Sequence, residues 1–479
     1  MIKTNKPLVL LMFTSIAFSS HAAGLSLKDF YSMLRKHPAL TKAQWEVLSL
    51  QDERESLKGD KDWNLFADAR LSHDTANKVF LYYDEKNESQ ASIGIEKKFW
   101  KTGGELSANF FSSRTDYSGN EDFFLKDAYS NGLIVRYTHP LIRNKKGMLS
   151  RLAFDLKKYD IDMTRVLAEE QQENFIKQCT LKYLEWAYTD ACKSILSERL
   201  HLSQELLSDI QKKRSSNLVD EVDVLRAEGQ LIKTKEYLLQ TETQWKALLS
   251  YILNIANEKK AVDYSPEFDF YKTRYIEEPE KAKEYLCSHS RLIKPLDTHL
   301  IQLEAMKKAY QNEMRTDLSL MAESGVNQTE ASFSDSIDFN EIHALLGLKM
   351  NFAIPNTRLK HLLSGIEKKI MVFEEEKNKV ILELSAAASE IIIRLKYMDN
   401  ILELNRESIR STMRRTEEEL KNYNQGRGDF TFVIQSRDSE LDAKLSYAGN
   451  TFLWHQLYAE YEAIQDRLLD RIHDETKNT

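Results

Sequence analysis

The chain has 479 residues, a net charge of -7 and no basic stripe, which argues against nucleic acid as a partner. Its three cysteines, Cys179, Cys192 and Cys287, make no disulfide framework in a chain of this size, and Cys179 and Cys192 lie too far apart on one predicted helix to bond. Beyond the first 22 residues no stretch approaches 18 apolar residues, so a chain that is exported is either soluble or crosses a membrane as a β-barrel.

The N-terminus reads as a secretory signal peptide over 1–22. Lys3 and Lys6 form a basic start, Leu8 to Phe18 is apolar, and Ser20-His21-Ala22 is a small-x-small cleavage site. Removal of the two lysines takes the net charge from -7 to -9. No cysteine follows the cleavage site to carry a lipid.

Leu27 to Gly59 is helical in pattern, with Pro38 near one helix start. The period then changes to two. Trp63, Leu65, Ala67, Ala69 and Leu71 alternate with polar neighbours, and Ala91, Ile93 and Ile95 begin a second strand. Leu106, Ala108 and Phe110 mark a third strand after a Thr102-Gly103-Gly104 turn, and Leu133, Val135 and Tyr137 a fourth that Pro140 closes. From Leu149 to Leu253 the chain predicts a long helical hairpin. Leu181, Leu184, Tyr188, Ala191 and Ile195 step by three and four, and Leu231, Leu238, Trp245, Leu248 and Ile252 keep a heptad rhythm. The crease falls at Ser215 to Asp220, so the arm from Leu149 has about 66 residues and a reach of about 100 Å.

Residues 254–316 are a charged connector, helical over Glu280 to Glu313. The first half is then replayed. Strands are predicted at about 317–354, where Ala344, Leu346, Leu348, Met350 and Phe352 alternate with polar residues, and Pro355 closes them. A second helical hairpin follows at about 357–472, with Val380, Leu384, Ala387, Ile391, Leu395, Met398 and Leu402 on its first arm and a crease at Tyr423 to Gly428. Pro140 precedes Asn217 by 77 residues and Pro355 precedes Gly426 by 71, the spacing of a duplication. The organisation is thus a first repeat over 23–253 (strands about 63–139, hairpin about 149–253), the connector, a second repeat over 317–473, and a tail at 474–479. The first repeat has an excess of about one hairpin, placed around Gly103-Gly104. Four to six strands are too few to close a membrane barrel in one chain, whereas several chains can close one together.

The chain resembles the outer-membrane efflux proteins, the TolC-like channels. His37-Pro38-Ala39-Leu40, Tyr137-Thr138-His139-Pro140-Leu141-Ile142, Asn217-Leu218-Val219 with Asp223-Val224-Leu225 and Ala227, and Tyr423-Asn424-Gln425-Gly426 with Val433-Ile434 carry the resemblance over nearly all of the mature chain. It implies a mainly α fold with a membrane β-barrel part. A homotrimer would close a twelve-stranded barrel in outer-membrane lipid, continued by a twelve-helix periplasmic α-barrel. On this reading the surplus hairpin is an extracellular extension. The implied function is the passive exit duct of a tripartite efflux pump or type I secretion system. A periplasmic adaptor would open an iris at the creases, and an inner-membrane transporter would supply the energy. The rival reading is a periplasmic coiled-coil scaffold or adhesin stalk without a pore.

Residue by residue, the resemblance puts an iris latch at Asp223 and Tyr423. The partner arginine's position is Gly428, with Arg427 adjacent. Adaptor docking falls on Asn217, Leu218, Val219 and Gly426. Where some relatives carry rings of aspartate this chain has Phe432 and Gln435, so the lumen constriction is either a displaced acidic ring at Asp429 and Asp438 or an apolar one at Phe432. No enzyme motif appears: there is no His-Glu-x-x-His, Cys-x-x-Cys, P-loop or Gly-x-Ser-x-Gly. The 11 histidines are scattered, and no catalytic, cofactor or metal residue is read. The cargo is left open between drugs, metal ions and polypeptides.

Overall fold

The computed structural model describes residues 23–75, 83–119, 126–258 and 264–470. The predicted signal peptide and tail lie outside the described residues. The chain divides into two compact units. One gathers 23–41, 172–286 and 385–470, and the other 42–171 and 287–384.

The second unit holds a six-stranded sheet: β2 (Asn64–Thr75), β3 (Tyr83–Phe99), β4 (Gly104–Gly119), β5 (Asp127–Pro140), β7 (Asp317–Glu330) and β8 (Glu341–Asn351). Its order is β2-β3-β4-β5-β7-β8, antiparallel throughout. The period-2 pattern sets two unlike faces. One register row runs Ala67, Ile93, Phe110, Leu133, Val326, Ile342, apolar on all six strands. The row on the other face beside it runs Asp68, Ser92, Phe111, Gly132, Asn327, Glu341. The apolar face is largely exposed, Leu71 at 83% and Ile342 at 79%, except at one end, where Ser336 bonds the buried Asn131 and Phe333 packs on Tyr129.

The surplus hairpin is present, but it is no extension beyond the sheet. β3 and β4 pair along their whole lengths, and β4 also pairs with β5 from Glu105 to Asp116. The turn between them, Trp100 to Gly103, lies at the end of the sheet from which helix α3 (Leu152–Ser215) departs. There the Trp100 ring packs on Phe154, centroids 5.4 Å apart, and Arg54 covers the other ring at 4.0 Å. The cause is the pair of left-handed glycines, Gly103 (φ +78°) and Gly147 (φ +64°), which let the turn and the chain before α3 approach closely. A Cβ on Gly147 would strike the Trp100 carbonyl. Gly147→Ala is therefore expected to cost about 2 kcal/mol or more, read as a shift of the denaturation midpoint in detergent. A midpoint at the wild-type value would show that this turn does not hold the base of the sheet.

The first unit is helical. Strand β1 (Ala23–Ser26) pairs in parallel with β6 (Tyr264–Glu267), a small sheet that the sequence pattern did not announce. Helix α1 (Leu27–Leu34) follows, capped by Ser26 Oγ accepting from the Asp29 N–H at 3.1 Å. Its buried Phe30 and Leu34 pack with Tyr183 and Trp186 of α3, and with Trp245 and Ile252 of α4 (Glu221–Ile255). Tyr183 donates to the Leu25 carbonyl at 2.7 Å, which ties β1 to α3. Glu173, 2% exposed, accepts from the N–H groups of Leu468 and Leu469, each at 2.8 Å. Cys179 and Cys192 are buried, and burial pushes the Cys179 thiol up to about 12. Cys287 is exposed.

The connector holds α5 (Pro279–His289) and α6 (Lys294–Glu313); Pro295 stands in the first turn of α6, where its missing N–H costs nothing. α3 and α7 (Thr357–Asn424) run 64 and 68 residues, but the return arms, α4 and α8 (Phe430–Ile464), have 35 each. α8 is interrupted after Ile464 and the chain is helical again over 468–470; the predicted end at 472 lies outside the described residues. The heptad residues do form the seams: Leu184, Trp245, Leu384, Ile391, Leu395, Met398 and Leu402 are all buried. α2 (Pro38–Ser56) completes the helices of the second unit's first segment.

Candidate functional site

The two creases lie together in the first unit and are built alike. In each, the residue just past the long helix turns left-handed, Asn217 at φ +55° and Gly426 at φ +70°. The following N–H then reaches five residues back: Leu218 to the Lys213 carbonyl and Arg427 to the Asn422 carbonyl, both at 2.9 Å. This is the Schellman closure, which satisfies carbonyls the helix end leaves open. Three residues past each left-handed residue stands the next helix's N-cap, Asp220 for α4 and Asp429 for α8. Asp429 accepts from the Thr431 N–H at 2.7 Å, and the Thr431 hydroxyl and then this N–H hold its carboxyl below the usual range. Beneath both creases Leu206, Ile210, Val224, Ala227, Phe430 and Val433 form one buried cluster.

A cleft of about 720 Å³ opens between the creases, lined by Asn217, Leu218, Val219, Asp223, Arg226 and Tyr423 among others. It brings Asp223 and Tyr423 to the same place. Within one chain, however, the Asp223 carboxylate is held by Arg226, which donates from Nη1 at 3.1 Å. The Tyr423 hydroxyl is buried and makes no hydrogen bond among the described residues. Burial, and then the nearby Asp223 and Asp429 charges, raise its pKa, so it stays a protonated donor. Lys213 caps the Tyr423 ring at 4.4 Å and donates to Asn424 Oδ1 at 2.9 Å. Arg427 is exposed at the second crease and does not line the cleft. Arg226 and Lys213 were not singled out from the sequence. The signal available was their spacing: Arg226 stands one i,i+3 step from Asp223.

The constriction candidates separate. Asp438 accepts from Arg199 Nη2 at 3.0 Å and from Gln230 Nε2 at 2.5 Å, so it joins α8 to α3 and α4. Arg199 is only 6% exposed, and burial lowers its pKa against the pull of Asp438. Asp438 therefore carries a structural load that sequence reading did not assign to it. Asp429, Phe432 and Gln435, three residues apart, are all exposed and share one face of α8. Val222, Leu225, Ile232 and Leu239 form a second exposed stripe, apolar at heptad spacing, on α4. Among the described residues there is no metal-binding cluster and no helix long and apolar enough to cross a membrane.

No protein-family model matches the chain, and no curated protein matches it by sequence. Solved structures do. The outer-membrane channel OprN superposes with a TM-score of 0.67 at 14% identity, over 92% of this chain and 89% of that one. CusC, described in connection with transmembrane channel formation, gives 0.67 at 10% identity over 95% of both chains. The outer-membrane protein VceC from Vibrio cholerae gives 0.64 at 10% identity, over 92% of this chain and 96% of that one. The chain has the TolC-like outer-membrane channel fold.

Proposed function

We propose that the protein is an outer-membrane exit duct, built from three copies, that conducts substrates passively out of the periplasm for a tripartite efflux pump or type I secretion system. One observation carries the reading: a six-stranded antiparallel sheet whose apolar rows, from Leu65 and Ala67 on one edge to Ile342 and Ala344 on the other, lie largely exposed among the described residues. Water would penalise that face at about 25 cal/mol for each Å², whereas lipid would not. The polar face would then line a lumen. A coiled-coil scaffold has no use for such a sheet. The exposed heptad stripe on α4 suits packing against a neighbouring copy.

The creases are the proposed gate. Leu218, 73% exposed, stands beside Asn217 and Val219 on one crease, with Gly426 on the other, as an apolar docking point for a periplasmic adaptor. Asp223 and Tyr423 are the proposed latch. Arg226 holds the carboxylate within the chain, and the exposed Arg427 is the proposed link to an adjacent copy. Below the gate, Asp429, Phe432 and Gln435 are the proposed lumen-facing stripe. Cell fractionation with unheated gel electrophoresis tests the whole reading. A trimer in the outer-membrane fraction is the expected result, and a soluble periplasmic monomer would overturn it.

A further inference from the structure

We infer that each chain contributes all six strands of its sheet to the membrane barrel, so that three copies close over eighteen strands rather than twelve. The inference rests on the exit-duct reading and concerns how that duct is walled. Four observations carry it. First, every strand is long enough to cross: β2 to β5 have 12, 17, 16 and 14 residues, and β7 and β8 have 14 and 11, where a tilted strand needs about 9 to 11. Second, the apolar row from Ala67 to Ile342 crosses all six strands without a break at the surplus pair, so those strands present the same lipid-compatible face as the rest.

Third, three of the four hairpin pairs are stitched alike on the polar face, and two of these, β2–β3 and β4–β5, tie the surplus strands β3 and β4 to their outer neighbours. A glycine on one strand is covered by a ring from its partner: Phe66 over Gly94, Phe111 over Gly132 and His343 over Gly325. Such aromatic cover pins the register of a strand that glycine would loosen. A decorative extension would not need the same device as the wall. Fourth, the turn from Trp100 to Gly103 returns to the base of the sheet and is locked there by Gly147, so β3 and β4 traverse the full height.

The open edges fit a second copy of this chain. β2 and β8 pair with no further strand among the described residues, and they are nearly equal in length. An even number of antiparallel strands leaves β2 and β8 running in opposite directions. The β8 edge of one copy therefore meets the β2 edge of the next as another antiparallel pair, as a closed barrel requires. The apolar row reaches both edges, at Ala67 and Ile342, and so continues around the ring. With strands about 4.8 Å apart and tilted about 40°, twelve strands give a backbone diameter of about 24 Å and eighteen about 36 Å.

Disulfide trapping in the outer membrane of cells tests this, in a Cys287→Ser background. Leu65→Cys, Ala67→Cys or Ala69→Cys on β2 is combined with Ala344→Cys, Leu346→Cys or Leu348→Cys on β8, in all nine pairings because the register between copies is open. Controls combine Ala108→Cys or Phe110→Cys on β4 with the same β8 positions. A disulfide needs Cα atoms within about 7 Å, and β4 would stand three strand spacings, about 14 Å, from the neighbouring β8. The expected result is that oxidation converts most of at least one β2–β8 variant to a covalent trimer on heated gels, while the β4 controls stay monomeric. A trimer that cross-links through β4 and not β2 would overturn the eighteen-strand wall and leave the duct reading standing. Covalent products that stop at two copies would overturn the count of eighteen. Failure of every variant and of the wild type to form an outer-membrane oligomer would remove the duct reading itself, and this inference with it.

Discussion

Replacing Asp438 with alanine is expected to destabilise the protein without changing the ion preference of the channel. The carboxylate is the acceptor for Arg199 and Gln230 on two other helices, and Arg199 is almost wholly buried. Removing one partner of such a pair leaves a charge in a poorly solvated place, which costs about 3 kcal/mol or more when both partners are dry. Asp438 keeps about a third of its side-chain surface, so water softens the loss, and about 2 kcal/mol is the expected figure. The same region holds Arg437, whose Nε is buried without a hydrogen bond and whose pKa is lowered by burial. Asp438→Ala would thus leave two guanidiniums sharing less negative charge. Asp438→Asn, which keeps one acceptor oxygen, should fall between wild type and alanine. Denaturation midpoints in detergent and reversal potentials in planar bilayers separate the two roles. A stable Asp438→Ala variant with altered cation selectivity would restore Asp438 to a lumen ring.

If the creases are the gate of the proposed duct, loosening them should open it in the absence of any adaptor. Asp223→Ala with Tyr423→Phe removes the charged acceptor and the buried donor that face one cleft. The single chain makes no bond between the two, so the loss falls on the proposed latch between copies: a hydrogen bond to a charged group contributes about 1.5 to 3 kcal/mol, and 1.4 kcal/mol is a factor of ten, so each latch lost should favour the open state about tenfold or more. Arg226→Ala alone should act in the same direction and more weakly, because it removes the side chain that holds the Asp223 carboxylate in position at the cleft while leaving the acid. Single-channel recording in planar bilayers reads the effect as a rise in resting conductance. A resting conductance equal to wild type in the double variant would mean that the iris is held elsewhere, for example by the apolar stripe around Phe432.

Most of the architecture was legible in the residues. The heptad seams were, because burial of a helix stripe repeats every three or four positions and Leu184, Leu395 and Leu402 fall on it. The strands were, because one bare and one polar face force alternation. The creases were, because only a few residues tolerate a left-handed turn and Asn217 and Gly426 stand at matched distances from Pro140 and Pro355. The two long hairpins were thus read from order and spacing alone.

Tertiary structure decided what depends on partners distant in sequence. Sequence could count a surplus hairpin around Gly103-Gly104 but not where its turn lies. That turn is fixed by the approach of Trp100 to Gly147, 47 residues on. The small parallel pair of β1 and β6 joins segments about 240 residues apart and is too short to show a period. Asp438 looked like a lumen acid because its partners, Arg199 and Gln230, are 239 and 208 residues away. Asp223 looked like a mate for Arg427, and its in-chain cation proved to be Arg226 one helical step off. Periodicity reports which face of an element avoids water; it carries no record of which side chain stands opposite, and on that record the gate and the wall of this channel both depend.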